Sequence, residues 1–129
     1  MPLDLELDHA PESATRARRA VRSFVEGQWP ESEWEPVLRD LVDDIELVTA
    51  ELIANSVRHG ATPVSLHVAT DADSGCRSVT LVARDGGEWD ETDSDPDGGR
   101  GLLLVRALSA RLDVERGGLG TTVRVRLER

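Results

Sequence analysis

Glu51 and Asn55 are the first residues whose types and spacing could support chemistry. They lie four apart in the segment ELIANSVRHG, so in a helix they project from one face on adjacent turns. Asn offers a neutral carbonyl oxygen, a hard ligand suited to a Mg²⁺ ion that also carries phosphates. Glu can act as a general base on a hydroxyl or water held near that metal. The alternative is a solvated Glu beside an Asn near a helix end, although Asn is a poor interior helix former and needs a local reason to be there.

A second group of residues follows an apolar run, where residues 82–87 read VARDGG. Asp85 is expected at a strand end, and its carboxylate could accept a hydrogen bond from an exocyclic amine. Gly86 and Gly87 permit close approach of the backbone to a flat ring. The alternative is a tight turn after a strand, with no ligand.

A third group is the glycine cluster Gly98-Gly99-Arg100-Gly101, which runs into Leu102 and an apolar segment. Free N–H groups at a helix start, with glycines shaping the entry, form an anion site without any Lys. Arg100 either adds charge against a phosphate or points to solvent. The chain contains no Lys, which excludes a Walker-type phosphate loop, because that loop requires one.

Two helices are predicted in the first half of the chain. One runs from about residue 11 to residue 27 and is followed by a break at Trp29-Pro30-Glu31. The second begins near residue 33 or 40 and ends at His59, with Gly60 in the C-cap position. Its later part places five residues on one face at spacings of three and four: Leu41, Ile45, Val48, Leu52 and Ser56.

Strands predominate in the rest of the chain. Alternating apolar residues predict a short first strand, and the second half adds four strands, a hairpin turn, a long loop and one helix. The predicted ranges are strands at 3–7, 64–68, 79–83, 112–115 and 121–127, the turn at 71–75, the loop at 85–99 and the helix at 101–108. Helices cluster early and strands late, which favours an α/β two-layer sandwich over a βαβ repeat. No linker or internal repeat is visible, so one domain over residues 1–129 is expected.

Charge and composition limit the function classes. The formal net charge is −10, and an acidic surface disfavours nucleic acid as a direct ligand. No apolar run approaches the roughly 20 residues needed to span a bilayer. The N-terminus lacks the basic and apolar regions of a signal peptide, and Cys76 is the only cysteine. These features predict a cytoplasmic protein with no membrane partner.

Taken together, the three groups resemble the nucleotide site of the GHKL superfamily of ATPases and kinases. Glu51 and Asn55 match its N box, residues 85–87 its G1 box and residues 99–102 its G2 box. Residues 120–123, which read GTTV, resemble the last box. The resemblance covers roughly residues 40–127. The segments ELIANSVRHG and GGRGLLLV are most similar to those of the bacterial anti-sigma-factor serine kinases.

The resemblance implies a Bergerat-type fold, with a mixed, mostly antiparallel sheet covered on one face by helices, and ATP and Mg²⁺ as cofactors. Asn55 would bind Mg²⁺, and Glu51 would accept the proton from a partner's serine. Asp85 would bind the adenine amine, directly or with a water. Gly87 would let the ring lie against the backbone, and Thr122 would complete that pocket.

The same resemblance implies roles near the phosphates and a set of partners. Gly99 and Gly101, with Arg100 and Leu102 of the same box, would lie near the phosphates. The protein substrate would be an anti-anti-sigma-like protein, with a sigma factor as a second partner. Similar kinases are often homodimers, so a homodimer stays open.

Two departures from the family pattern keep other functions open. Glu88 and Trp89 follow Gly87, where the G1 box usually continues to another glycine, and the following lid is short and acidic. Six carboxylates within residues 88–97 are unfavourable near a triphosphate unless Mg²⁺ or solvent separates them. One alternative is a module that sequesters a partner without phosphorylating it. Another is the catalytic part of a sensor histidine kinase, which is disfavoured because no helix pair with a phosphoacceptor His precedes these boxes.

Overall fold

Two helices cover one face of a five-stranded sheet in the computed structural model of the protein. The structure describes residues 1–8, 10–59, 64–73, 75–87, 103–117 and 120–129. The helices are α1 (Ser13–Gln28) and α2 (Pro36–His59), with a 3₁₀ turn at Glu31–Glu33 between them, and residues 103–108 are also helical. The strands are β1 (Leu3–Leu7), β2 (Val64–Asp73), β3 (Cys76–Asp85), β4 (Arg111–Gly117) and β5 (Gly120–Glu128). The predicted α/β two-layer sandwich is confirmed.

The break between the two helices lies where the sequence predicts it. Trp29 and Trp34 are both buried there, and the Trp34 indole Nε1–H donates to the Trp29 carbonyl oxygen at 2.7 Å. Helix α2 begins at Pro36, between the two predicted starts, and proline is favoured at a first helical position because it has no N–H to leave unpaired. The five residues predicted to share one face of α2 are all fully buried.

Arg22 joins the two helices. Its Nε donates to Glu26 Oε1 at 2.9 Å, and its Nη1 lies 3.4 Å from the carboxylate of Glu46 on α2. The guanidinium carbon lies 5.4 Å from the centroid of the Trp34 ring. The hydrogen bond to Glu26 raises the pKa of Arg22 above its ordinary value, and the Glu46 carboxylate adds to this while burial opposes it. Because these side chains are partly exposed, the ion pairs orient the helices more than they stabilise them.

The sheet has the strand order β1-β2-β3-β5-β4, and all four neighbouring pairs are antiparallel. The family resemblance implies a mixed, mostly antiparallel sheet, and the described strands form no parallel pair. Strands β3 and β4 do run in the same direction, but β5 lies between them. The connection from β3 to β4 therefore skips one position in the sheet without creating a parallel ladder.

The β2–β3 hairpin is tighter than the predicted turn over residues 71–75. Strand β2 continues to Asp73, which pairs with Cys76, so residues 71–73 belong to the ladder. Gly75 has φ +81°, the left-handed conformation that a tight turn requires. Aspartates such as Asp71 and Asp73 are typical of a turn, but cross-strand pairing with β3 outweighs this preference.

The core lies between the helices and one face of the sheet. Alternate residues of the strands face α1 and α2 and are buried, as the period of two predicts. These inward residues are Leu7, Val64, Leu66, Val68, Val79, Leu81, Ala83, Val123, Val125 and Leu127. Among the described helices, none is long and apolar enough to cross a bilayer.

Candidate functional site

At one end of the sheet, polar residues are buried in the inward-facing rows of side chains, which are otherwise apolar. At this end, called the site end, β2 begins, β3 ends and β5 begins. Asp85 and Thr121 are paired there, and both continue the buried rows that face the helices. Asp85 is 6% exposed and Thr121 is 1% exposed. A carboxylate and a hydroxyl thus occupy positions where the rest of each row is apolar.

The Asp85 carboxylate holds the turn that follows β3. Its Oδ1 accepts a hydrogen bond from the Gly87 N–H at 2.8 Å. The Gly87 carbonyl oxygen in turn accepts a hydrogen bond from Thr121 Oγ1, also at 2.8 Å. Both backbone groups of Gly87 are therefore tied to side chains of the site end, one from β3 and one from β5.

Gly120 makes the closest backbone approach at this end. It has φ +121°, and a Cβ added to it would lie 2.0 Å from the Asp85 carbonyl oxygen and 3.0 Å from Gly86 Cα. No side chain fits between these two backbones. Only glycine therefore allows β5 to begin directly against the end of β3.

The register corrects one sequence prediction. Thr122 is predicted to complete a pocket with Asp85, but it pairs with Arg84, on the face of the sheet that points away from the helices. Thr121 lies on the same face as Asp85 instead. Successive side chains of a strand point to opposite faces, so a shift of one residue moves the hydroxyl to the other side of the sheet.

Asn55 is buried on α2 with an unfilled hydrogen-bonding group. Its side chain is 3% exposed, on the same stripe as Val48 and Leu52. Its Nδ2 has no hydrogen-bond partner within the described part of the chain. Buried amides are rarely left this way, because the unpaired group forfeits its hydration. Glu51, one turn earlier, is partly exposed and forms no ion pair with any described residue.

The chain path directs the last turns of α2 toward the site end. Arg129 follows β5 at the opposite end of the sheet, and its Nη2 lies 2.6 Å from Asp44 Oδ2 in the first half of α2. Only residues 60–63 separate His59 from Val64, which begins β2 at the site end, and such a link spans at most about 18 Å. Helix α2 therefore starts over one end of the sheet and runs toward the other.

Several predicted site residues lie outside the described residues. Gly99, Arg100, Gly101 and Leu102 are among them, together with the predicted lid over residues 89–98. The helical residues 103–108 come directly after this segment. The contacts given above bring together Asp85, Gly87, Gly120 and Thr121, and the chain path directs the last turn of α2, which follows Asn55, toward the same end of the sheet.

These residues fit a bound nucleotide and a magnesium ion. Asp85 offers an acceptor at a closely packed backbone turn, and the Asn55 Nδ2 is a donor, suited to a phosphate oxygen, that the described residues leave unused. No cluster of three or more His, Cys, Asp or Glu side chains suited to a metal occurs among the described residues. The Asn55 amide oxygen would hold a Mg²⁺ ion that also carries phosphate oxygens and water.

Comparison with known proteins identifies the class. The family model of the histidine kinase-like ATPase domain matches residues 7–127, so the chain belongs to this family, and membership implies ATP binding. No curated protein matches the chain.

Two solved structures are similar to the chain. One contains the RsbU and RsbW domains of Rv1364c from Mycobacterium tuberculosis, with a TM-score of 0.71 and 23% identity over 100% of this chain and 32% of that chain. The other is the blue-light activated histidine kinase of Erythrobacter litoralis EL346, with a TM-score of 0.50 and 26% identity over 68% of this chain and 30% of that chain. The chain spans about a third of each of these longer proteins. The first likeness shows that the two chains share a fold.

Proposed function

We propose that the chain is a Mg-ATP-dependent serine kinase that phosphorylates an anti-anti-sigma-like protein and acts as an anti-sigma factor. The observation that carries the proposal is the buried Asp85 carboxylate, fixed against the Gly86–Gly87 turn at the site end. The family match and the likeness to an RsbW domain support the kinase class. The activity belongs to one domain over residues 1–129, an assignment supported by the single cluster of core residues from Leu7 to Leu127.

The base of the nucleotide is recognised by Asp85 in this proposal. An ionised carboxylate only accepts hydrogen bonds, so it selects a donor such as the exocyclic amine of adenine, met directly or through water. The Gly87 N–H orients this carboxylate through Oδ1. Gly87 itself has no side chain to keep a flat ring away from the backbone. Thr122 has no part in the pocket, because it lies on the opposite face of the sheet.

In this proposal, residues of α2 act at the phosphates and the metal. Asn55 would bind Mg²⁺ through its amide oxygen, and the ion when bound would neutralise phosphate charge. Glu51 lies one turn away on the same face and is partly exposed, so its carboxylate is accessible to a serine hydroxyl of a partner and can accept its proton. Gly99, Arg100, Gly101 and Leu102 remain the predicted phosphate contacts. Phosphoryl transfer needs mainly positioning and charge stabilisation, which these groups could supply.

The proposed setting is cytoplasmic. The partners are the anti-anti-sigma-like substrate and a sigma factor, with neither direct nucleic-acid contact nor a membrane. Homodimerisation remains part of the proposal, as it is common among similar kinases.

The first experiment is a calorimetric titration of the protein with ATP, with and without Mg²⁺, alongside Asn55→Ala. We expect magnesium-dependent binding in the wild type that is lost in the variant. Thermal unfolding of both proteins without nucleotide serves as the control for folding. Absence of binding at millimolar ATP would contradict the proposal.

A partner-sequestering module without catalysis is the second candidate, favoured by the six carboxylates in residues 88–97. Glu51→Gln separates the two functions, because it removes the base and keeps the size of the side chain. A kinase loses phosphate transfer to its partner in this variant and still binds that partner. A module binds the partner equally in both forms, and neither form transfers phosphate from Mg-ATP.

A further inference from the structure

Strand β4 is one of the two edges of the sheet. Among the described strands it pairs with β5 alone, as β1 at the other edge pairs with β2 alone. The outer side of an edge strand presents backbone N–H and C=O groups with which another strand can pair. The side chains of each edge decide whether a second copy of the same strand can add there.

The side chains of β4 alternate between charged and apolar. Leu112 and Val114 pair with buried residues of β5, so they face the helices. Arg111, Asp113 and Glu115 alternate with them and lie on the other face of the sheet, called the open face. Leu112 and Val114 pack against the core but are only partly buried, unlike the inward residues of β3 and β5. The inward side of this edge therefore leaves apolar surface in contact with water.

Two copies of β4 are complementary in an antiparallel pair centred on Asp113. Arg111 of each copy then lies opposite Glu115 of the other, which makes two cross-strand pairs of opposite charge. On the inward face, Leu112 of each copy lies opposite Val114 of the other. The register is symmetric about Asp113, as a contact between two identical surfaces requires.

Asp113 lies opposite its own copy in this register, and its charge is already compensated within the chain. Arg111 Nε lies 2.9 Å from Asp113 Oδ2. Arg124 is the ladder partner of Asp113 on β5, on the same face of the sheet. The Arg111 guanidinium carries five N–H donors, so its contact with Asp113 leaves donors for Glu115 of the second copy.

Self-pairing is disfavoured at the other edge. Leu3, Leu5 and Leu7 of β1 pair with inward residues of β2, so Asp4 and Glu6 lie on the open face. Any antiparallel pair of two β1 strands that keeps the leucines inward therefore sets carboxylate opposite carboxylate. Like charges directly opposite each other destabilise a ladder. Of the two edges, β4 is the one that fits a second copy.

We propose that two copies of the chain associate through β4, which joins their two five-stranded sheets into one. This inference rests on the proposed function for the homodimer, whose interface it specifies. The two-fold axis is perpendicular to the sheet, so the helices of both copies lie on the same face. The axis also reverses strand direction, so the site end of each copy lies beside the opposite end of the other. Both nucleotide sites therefore stay open.

The test uses sedimentation equilibrium of the full chain without nucleotide, over a range of protein concentrations. Arg111→Glu and Glu115→Arg each replace both cross-strand attractions by repulsions, and both residues are exposed. Arg84→Glu is the matched control, because it makes the same charge change at an exposed position on the open face of β3, two strands from the edge. Thermal unfolding of each variant checks that it is folded.

We expect the wild type to dimerise and each edge variant to raise the dissociation constant of the dimer by roughly ten- to a hundredfold, since two charge pairs change sign. An equimolar mixture of Arg111→Glu with Glu115→Arg should dimerise about as well as the wild type. In the mixed dimer every contact between positions 111 and 115 again joins an arginine to a glutamate. Arg84→Glu should leave the dissociation constant unchanged.

Three results would overturn the inference: a wild type that stays monomeric, edge variants that dimerise like the wild type, or a mixture that fails to associate. Dissociation by Arg84→Glu to the same extent as by Arg111→Glu would also overturn it, because the open face would then be the interface. Failure of the proposed kinase function has a different signature, the absence of ATP binding in the titration described above. That failure leaves the sedimentation results unchanged.

Discussion

Each end of the sheet has a glycine with a positive φ, but the surroundings of the two glycines differ. At the hairpin end, where β2 passes into β3, Gly75 adopts φ +81° with open space around the position of a Cβ. At the site end Gly120 adopts φ +121°, and its Cβ position is filled by the Asp85 carbonyl oxygen. The first glycine serves only the local conformation of a turn. The second also serves a contact between strands that are distant in sequence.

The polar residues of the two ends differ in the same way. At the hairpin end the ion pair of Asp44 and Arg129 joins α2 to the residue after β5, and both side chains reach solvent. At the site end Asp85 and Thr121 are buried and bond to a backbone turn. The two ends therefore differ in burial: the polar contacts at the hairpin end are open to water, whereas those at the site end hold a buried carboxylate against a backbone turn.

The largest effect is expected from a pair of glycine substitutions. Gly75→Ala should cost about 1–2 kcal/mol of unfolding free energy, since only the positive φ is strained. Gly120→Ala adds a clash with backbone that cannot rotate away, so its cost should reach roughly 3 kcal/mol or more. Urea denaturation of both variants measures the difference. Equal costs would show that the contact between Gly120 and Asp85 is not needed.

An intermediate effect is expected from Asp85→Asn. The amide keeps an oxygen for the Gly87 N–H, but its NH₂ group meets the amine of adenine donor to donor. We expect ATP affinity to fall by about ten- to a hundredfold, the effect of leaving a buried donor without an acceptor. The matched substitution at the hairpin end, Asp44→Asn, should leave ATP affinity unchanged. Calorimetry measures the ATP affinity of both variants, and equal affinities would refute the assignment of Asp85 to base recognition.

The smallest effect is expected from the ion pair at the hairpin end. Asp44→Asn should lower the unfolding free energy by about 0.2–1 kcal/mol, the usual range for a pair that water and salt can reach. Raising the ionic strength should shrink the difference between variant and wild type. A loss well above this range, insensitive to salt, would mean that the two ends are more alike than their burial indicates.

The helices and most strand positions were predictable because they depend on short periods. Five residues of α2 at spacings of three and four are predicted to share a face, and all are buried as expected: Leu41, Ile45, Val48, Leu52 and Ser56. The alternation of Leu3, Leu5 and Leu7 likewise predicts β1. The turn predicted at residues 71–75 was wrong for residues 71–73, because cross-strand pairing, which local composition does not report, extends β2.

Thr121 could have been identified from the sequence alone. Val123, Val125 and Leu127 are predicted to face inward, and Thr121 shares their odd positions, whereas Thr122 does not. The resemblance to the last family box indicates a Thr before the strand without deciding between two adjacent ones. Strand parity decides between them, because successive side chains of a strand point to opposite faces.

The sequence by itself determined the residue types with chemical capacity and their spacing: Glu51 and Asn55 one helical turn apart, and Asp85 ahead of two glycines. These follow from periods of two and 3.6 residues, which are local properties of the backbone. Only the tertiary structure decided that Thr121 reaches Gly87 and that Gly120 lies against Asp85. Those contacts join segments more than thirty residues apart, and they exist because sheet register places β5 beside β3.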